Sequence, residues 1–344
     1  MKSGKTEAVR PMAAGLCTGA ALLLGTFCLL TTSGSASAKV GYVSFDPQGS
    51  VDTEPQQINL AGSISGFYTD SSAITHGFMR SEDGTITAYD PTGSFGTYPY
   101  GINDKGDVDG SWYDVSGAGH GFVRAVDGTI TSFDPDGSTD TAAESINAKG
   151  IIVGSYMDSQ GFGNGFERSA SGTISTINVS GAFDTYLFGI NKSGAISGDY
   201  DDTNGTHGVL LETDGTMITF DPAGSIGTMA WYLNDSGVVA GFYFDKKSVG
   251  HGFVRAVDGT LTAFDPPGSV DTRVHGLNDK GWISGRYLDA KNHMHGYVRS
   301  PDGKFTSFEY PKAHYTLAEG INAAGSTAGY YQAKSTTHGF IRTK

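Results

Sequence analysis

His120-Gly121-Phe122-Val123-Arg124-Ala125-Val126-Asp127-Gly128-Thr129-Ile130-Thr131-Ser132-Phe133-Asp134-Pro135 reads as two short strands around a tight turn. His120 to Arg124 is one strand and Thr129 to Asp134 the next. Asp127-Gly128 joins them, because an Asp-Gly pair accepts the positive φ of a hairpin turn. Two further strands precede this hairpin: Thr97 to Asn103, ended by Asp104-Lys105-Gly106, and Val108 to Asp114. The closing triplet is the key to the whole chain. Phe45-Asp46-Pro47 returns as Tyr89-Asp90-Pro91, Phe133-Asp134-Pro135, Ile177-Asn178-Val179, Phe220-Asp221-Pro222, Phe264-Asp265-Pro266 and Phe308-Glu309-Tyr310, at steps of 44, 44, 44, 43, 44 and 44 residues. The series Asn59, Asn103, Asn147, Asn191, Asn234, Asn278, Asn322 keeps the same register, and so does His76, His120, Asn164, His207, His251, His295, His338.

Seven units of four short strands, with three short links and one long one, predict an all-β chain. The long link, Pro135 to Thr141 and its equivalents, would carry the chain from the outer edge of one sheet to the inner edge of the next. That connection is the one a radial array requires, so the expected architecture is a seven-bladed β-propeller of four-stranded antiparallel blades. Val40 to Phe45 corresponds to a fourth strand and His338 to Arg342 to a third. Pairing them would close the ring and remove the exposed end that a solenoid must cap. A β-helix of two coils per unit fits less well, because the two halves of the unit do not resemble each other.

Composition agrees with this reading. There are 51 glycines and 11 prolines, and 17% of the side chains are charged, which describes a turn-rich β chain better than a helical one. The formal net charge of -13 argues against nucleic acid as a partner, since phosphate-backbone binding depends on Lys and Arg displacing counterions. Residues 1–38 read as a cleaved secretory signal peptide: Lys2, Lys5 and Arg10, an apolar run from Leu16 to Leu30, then Ala36-Ser37-Ala38. The run is short for a membrane anchor. The expected mature chain, residues 39–344, is secreted to the periplasm or the extracellular medium and carries no membrane span. It also carries no cysteine, because Cys17 and Cys28 both fall in the leader. Burial and strand pairing alone must hold it together.

The His-Gly-Phe, Gly-Ile-Asn and Asp-Gly-Thr-Ile-Thr elements resemble the HAF-type bacterial extracellular repeats, which are similar in appearance to WD-type propeller blades. The resemblance spans Lys39 to Lys344. It departs from the HAF pattern at the central Gly of His120-Gly121-Phe122, and from WD repeats in lacking their Trp-Asp ending. It implies export and a repeat fold, and no particular activity.

What recurs reads as scaffold. The histidines would lie too far apart to share an ion. Each is expected to pair with an Asp across its hairpin: Asp70 with His76, Asp114 with His120, Asp202 with His207, Asp245 with His251, Asp289 with His295. Asn164 and Ala333 break the pattern in two units. The series Tyr68, Trp112, Tyr156, Tyr200, Tyr243, Tyr287, Tyr331 is expected to pack between sheets. Asp199, Asp201, Asp202 and Asn204 crowd one hairpin but lack the spacing of a calcium loop. His293-x-His295 is a poor zinc pair, because His295 belongs to the repeat. No metal and no cofactor is expected.

What varies marks the site. The positions following the recurring Thr of each first strand hold acids, aromatics, Arg and His, and should surround one mouth of a central channel. The expected ligand-binding residues are Gln56, Tyr98, Tyr100, Glu144, Tyr186, Phe188, Trp231, Arg273, His275 and Glu319. Aromatic faces can stack on sugar rings while charged groups orient hydroxyls. The leading expectation is a non-catalytic binding module for an extracellular glycan or protein. A polysaccharide lyase or glycoside hydrolase, with His275, Glu144, Glu319 or Tyr100 as its acid–base groups, is the alternative. An envelope protein acting through its acidic surface is the third.

Overall fold

The computed structural model describes residues Val40 to Thr343. The expected signal peptide lies outside the described residues. The described residues are built of 28 strands and contain no helix, so none of their helices could cross a membrane.

The strands pair antiparallel in runs of four. The first run is β2 (Ser50–Ile58), β3 (Ile64–Asp70), β4 (Thr75–Arg80) and β5 (Ile86–Tyr89), following the isolated β1 (Gly41–Phe45). The second is β6 (Gly96–Ile102), β7 (Val108–Tyr113), β8 (Gly119–Arg124) and β9 (Ile130–Phe133). The third is β10 (Ser138–Ile146), β11 (Ile152–Asp158), β12 (Gly163–Arg168) and β13 (Ile174–Ile177). Then come β14 (Asp184–Ile190), β15 (Ile196–Asp202), β16 (Gly205–Leu211) and β17 (Met217–Phe220). They are followed by β18 (Ser225–Leu233), β19 (Val239–Asp245), β20 (Gly250–Arg255) and β21 (Leu261–Phe264). The sixth run is β22 (Ser269–Leu277), β23 (Ile283–Asp289), β24 (Met294–Arg299) and β25 (Phe305–Phe308). The last is β26 (Tyr315–Ile321), β27 (Thr327–Ala333) and β28 (Thr336–Thr343), and its fourth member is β1, paired antiparallel with β28 from Gly41↔Thr343 to Phe45↔Gly339. Four of the first strands begin earlier than expected, at Ser50, Ser138, Ser225 and Ser269. The long link is therefore shorter than the sequence suggests: Ser138 N–H already bonds back to Pro135 O at 3.1 Å.

The asparagine series explains how neighbouring runs hold together. Each Asn Oδ1 accepts backbone N–H groups of its own turn, as Asn147 does from Lys149 and Ile151. Each Nδ2 donates to the backbone carbonyl of the next Asn in the series, from Asn59 to Asn103 at 3.1 Å through Asn278 to Asn322 at 2.8 Å. Asn322 then donates to Asn59 O at 3.1 Å, 263 residues away in sequence. First strands also lie beside first strands, with β26 against β2.

A second cross-link joins the triplet aromatic of one run to the next run. Phe133 packs edge-on against Phe166 at 5.9 Å and lies under the Arg168 guanidinium at 4.7 Å. The same cation–π contact recurs as Arg80 on Phe45, Arg124 on Tyr89, Arg255 on Phe220, Arg299 on Phe264 and Arg342 on Phe308. Such contacts are worth about 0.5–2 kcal/mol each. The joint between the third and fourth runs lacks both partners, and there Ile177 and Leu211 replace the aromatic and the Arg in one apolar cluster.

The histidines require a correction. Their close partner is the acid of the triplet, not the hairpin Asp: Nδ1 donates to Asp90, Asp134, Asp221 and Asp265 at 2.7 Å from His76, His120, His207 and His251. His295 reaches Glu309 at 2.7 Å, and His338 reaches Asp46 at 2.8 Å across the two ends of the described chain. The hairpin Asp is occupied elsewhere. Asp114 Oδ1 accepts the N–H groups of Ser116 and Ala118, leaving His120 Nε2 at 3.9 Å from its other oxygen. The expected hairpin pairs of His76, His251 and His295 are ion-pair contacts at 3.5–3.7 Å, and that of His207 with Asp202 shortens to a hydrogen bond at 3.2 Å. In the third run Asn178 Nδ2 donates to Asn164 Oδ1 at 2.7 Å, so both members of the pair change together. The recurring aromatics stack on these rings within their own sheet, as Trp112 does on His120 at 4.4 Å. Most of them also share a core cluster with the preceding run, as Tyr243 does with Leu210 and Tyr287 with Phe264.

Candidate functional site

Every first strand carries a register shift against its second strand, at Pro55/Gln57, Pro99/Ile102, Ala143/Ser145, Leu187/Gly189, Met229/Tyr232, Val274/Gly276 and Ala318/Ile321. A β-bulge leaves a residue outside the ladder and turns its side chain away from the sheet. The residues so released are Gln56, Tyr100, Glu144, Phe188, Trp231, His275 and Glu319, one from each run. All seven line a single cavity of about 460 Å³.

Phe67, Tyr98 and Tyr330 complete the walls, together with Glu54, Gln57 and Tyr232. Phe67 and Tyr98 meet edge to face at 5.2 Å, and Phe188 and Trp231 lie 5.2 Å apart. His275 Nδ1 sits 2.8 Å from Glu319 Oε2, and Glu319 is buried. The other ring nitrogen, Nε2, is buried without a hydrogen-bond partner. A carboxylate on one nitrogen orients the imidazole and leaves the other free to accept or deliver a proton.

The carboxyl groups of the cavity are held in an unfavourable setting. Burial, reinforced by Glu319 and Asp52, pushes the Glu54 carboxyl up to about 7. Burial pushes Glu144 up to about 7 as well. Close to Glu144, Asp109 is fully buried, and both its oxygens lack a side-chain or backbone partner of good geometry. Burial, with Glu144 as a like charge, raises it to about 8. Asp199 is likewise raised, by burial and then by Asp201.

Of the ten residues expected from the sequence, eight line the cavity: Gln56, Tyr98, Tyr100, Glu144, Phe188, Trp231, His275 and Glu319. Tyr186 and Arg273 do not. The Tyr186 ring fills the space that a side chain at Gly163 would need. Arg273 is tied to Asp271 at 3.0 Å and stacked over Phe242 and Phe244. Glu54 and Tyr98 hold the same strand position and do line the cavity, so it is the ties to Asp271, Phe242 and Phe244 that keep Arg273 out of it.

Glu54 follows the recurring Thr53 and so falls among the positions expected at the mouth; Gln57, Phe67, Tyr232 and Tyr330 were not expected. Gln57 and Tyr232 had a readable signal. Their position is glycine in four other runs (Gly101, Gly189, Gly276, Gly320), where the backbone of the next run leaves no space: a Cβ on Gly276 would fall 2.8 Å from Glu319 O. A large side chain at such a position has to turn into the cavity. Phe67 and Tyr330 come from second strands, at a position that also varies between runs.

Among the described residues no three His, Asp or Glu side chains converge to hold a metal ion. The acids of the β15 hairpin have separate partners and settings. Asp199 points inward and is buried, Asp201 accepts from Thr206 Oγ1 at 2.6 Å, and Asp202 accepts from Asn204 N–H at 2.6 Å.

The sequence matches no protein-family model and no curated protein. Several solved structures are similar in fold. Selenomethionine-substituted virginiamycin B lyase from Staphylococcus aureus aligns over 89% of this chain and 99% of its own, with a TM-score of 0.60 and 12% identity. The β-propeller domain of the Trilobed protease from Pyrococcus furiosus aligns over 85% and 96%, with a TM-score of 0.55 and 9% identity. YCF48 bound to D1 peptide aligns over 88% and 94%, with a TM-score of 0.52 and 10% identity. At these identities the likeness concerns fold alone. The fold of this chain is that of a β-propeller.

Proposed function

We propose that residues 39–344 form a closed seven-bladed β-propeller, released after a leader of residues 1–38, that binds an extracellular glycan or protein in the cavity at one mouth of its central channel. Seven runs of paired strands, the β1–β28 pairing and the circuit of asparagines support the closed ring. One observation carries the binding reading. In a chain whose units otherwise repeat, seven dissimilar bulge residues, one per unit, meet in one aromatic-walled cavity. Selection for folding alone would repeat them too. A screen of glycans and peptides against the purified protein tests this. Trp231→Ala and Phe188→Ala should each weaken binding at least roughly tenfold, the loss expected for a buried aromatic anchor. The melting temperature should stay near that of the parent. Unchanged affinity in both variants would move the site elsewhere.

A second reading has its own support. The His275–Glu319 pair, with the second imidazole nitrogen unpartnered, is the arrangement of an oriented general base or acid, which suits a carbohydrate lyase or hydrolase. New reducing ends or unsaturated products, lost in His275→Ala with the fold intact, would favour catalysis over binding.

A further inference from the structure

Seven of the thirteen residues lining the cavity are aromatic, three are glutamates and one, His275, is basic. We propose that the group this cavity receives is an organic ammonium, carried on a sugar-sized body such as an amino sugar with an unacetylated amine. The inference rests on the glycan-binding reading above and narrows it.

Three lines of argument lead there. Aromatic faces present negative quadrupoles, and a ring of them attracts a soft, weakly hydrated cation. Glu54, Glu144 and Glu319 enter from the first, third and seventh runs, so they surround a space rather than meet at a point. A bare divalent ion needs oxygen ligands within about 2.6 Å on several sides; an organic cation needs only to sit among them. Finally, no Lys or Arg lines the cavity, since Arg273 is committed to Asp271. An anionic ligand would meet three glutamates against one imidazole that is already paired with Glu319, and a neutral sugar would leave the buried carboxyl groups uncompensated.

The raised carboxyls give this an acid–base signature. Glu54 is faced by Glu319 and Asp52, Glu144 by Asp109, Tyr100 and Tyr232, and Glu319 by His275. Above about pH 8 Glu54 and Glu144 are ionised and attract the cation; near pH 5.5 both hold protons and the attraction fades.

Calorimetry on the purified protein at pH 7.5 separates the cases with four probes: an N-trimethylated glucosamine tetramer, whose charge does not titrate, an N-acetylglucosamine tetramer, a neutral glucose tetramer and tetramethylammonium. The trimethylated sugar should bind at least roughly tenfold more tightly than either neutral sugar. That preference should shrink severalfold at pH 5.5 and in Glu144→Gln, whose melting curve shows that it remains folded. Equal or better binding of the neutral sugars overturns the ammonium while leaving the glycan reading in place. Tetramethylammonium binding without any sugar binding keeps the ammonium and removes the glycan. Silence toward all four probes defeats both.

Discussion

Two positions three residues apart, one on each first strand and one just past its end, behave in opposite ways. Asn59, Asn103, Asn147, Asn191, Asn234, Asn278 and Asn322 never vary, while Gln56, Tyr100, Glu144, Phe188, Trp231, His275 and Glu319 almost never agree. The asparagines satisfy a turn with one oxygen and the neighbouring run with one nitrogen, and no other side chain of that length supplies both. The bulge residues touch no ladder and are free to be anything the cavity requires. Uniformity therefore marks the joints of the molecule, and disagreement marks its opening.

This contrast breaks most visibly at a joint. Asn147→Ala removes two turn hydrogen bonds and the link to Asn191 O in a buried setting. At about 1 kcal/mol each, the loss is about 3 kcal/mol, or a melting point lower by roughly 5 °C. Ligand affinity below that temperature should be unchanged; altered affinity with an unaltered melt would reverse the assignment of joint and opening. Asp109→Asn probes the region beneath the cavity. Because the folded carboxyl is raised to about 8, stability is lost as pH climbs from the unfolded value near 4 toward 8, where the native state must ionise a buried group. The amide cannot ionise. The variant should thus gain several kcal/mol over the parent at pH 8, at about 1.4 kcal/mol for each unit by which the carboxyl is raised, and almost nothing near pH 4, read from melting curves at both values; a pH-independent difference would refute the buried-acid account. The smallest effect belongs to a single repeated pair. His120→Ala, which loses a partly exposed bond to Asp134 and the stack on Trp112, should cost about 1 kcal/mol and leave binding intact. A normal melt with abolished binding would place that histidine in the site instead.

The strand pattern, the phase of the repeat and eight of the cavity residues were legible because each depends on local turn chemistry or on simple counting. The histidine partner was not. Asp70 and Asp90 are both within reach of His76 along the chain, and only the demand of the hairpin's own N–H groups on Asp70 decides between them. Two paired changes in the third and fourth runs carried the missing clue, since Asn164 departs together with Asn178, and Ile177 together with Leu211. Arg273 holds the strand position at which Glu54 and Tyr98 reach the cavity, and only its partners Asp271, Phe242 and Phe244, which the sequence does not announce, turn it away from that space.

The partnership of β1 with β28 has a consequence for how the molecule comes into being. On the ribosome β1 emerges almost three hundred residues before the only strand it pairs with, and Asp46 waits equally long for His338. The nascent chain can assemble its middle units in order, but the unit in which β1 pairs β28 draws on the first and last strands of the described residues and must form last. Folding should therefore end on one slow, long-range step, with β1 an exposed ribbon until then and vulnerable to capture by a neighbouring copy.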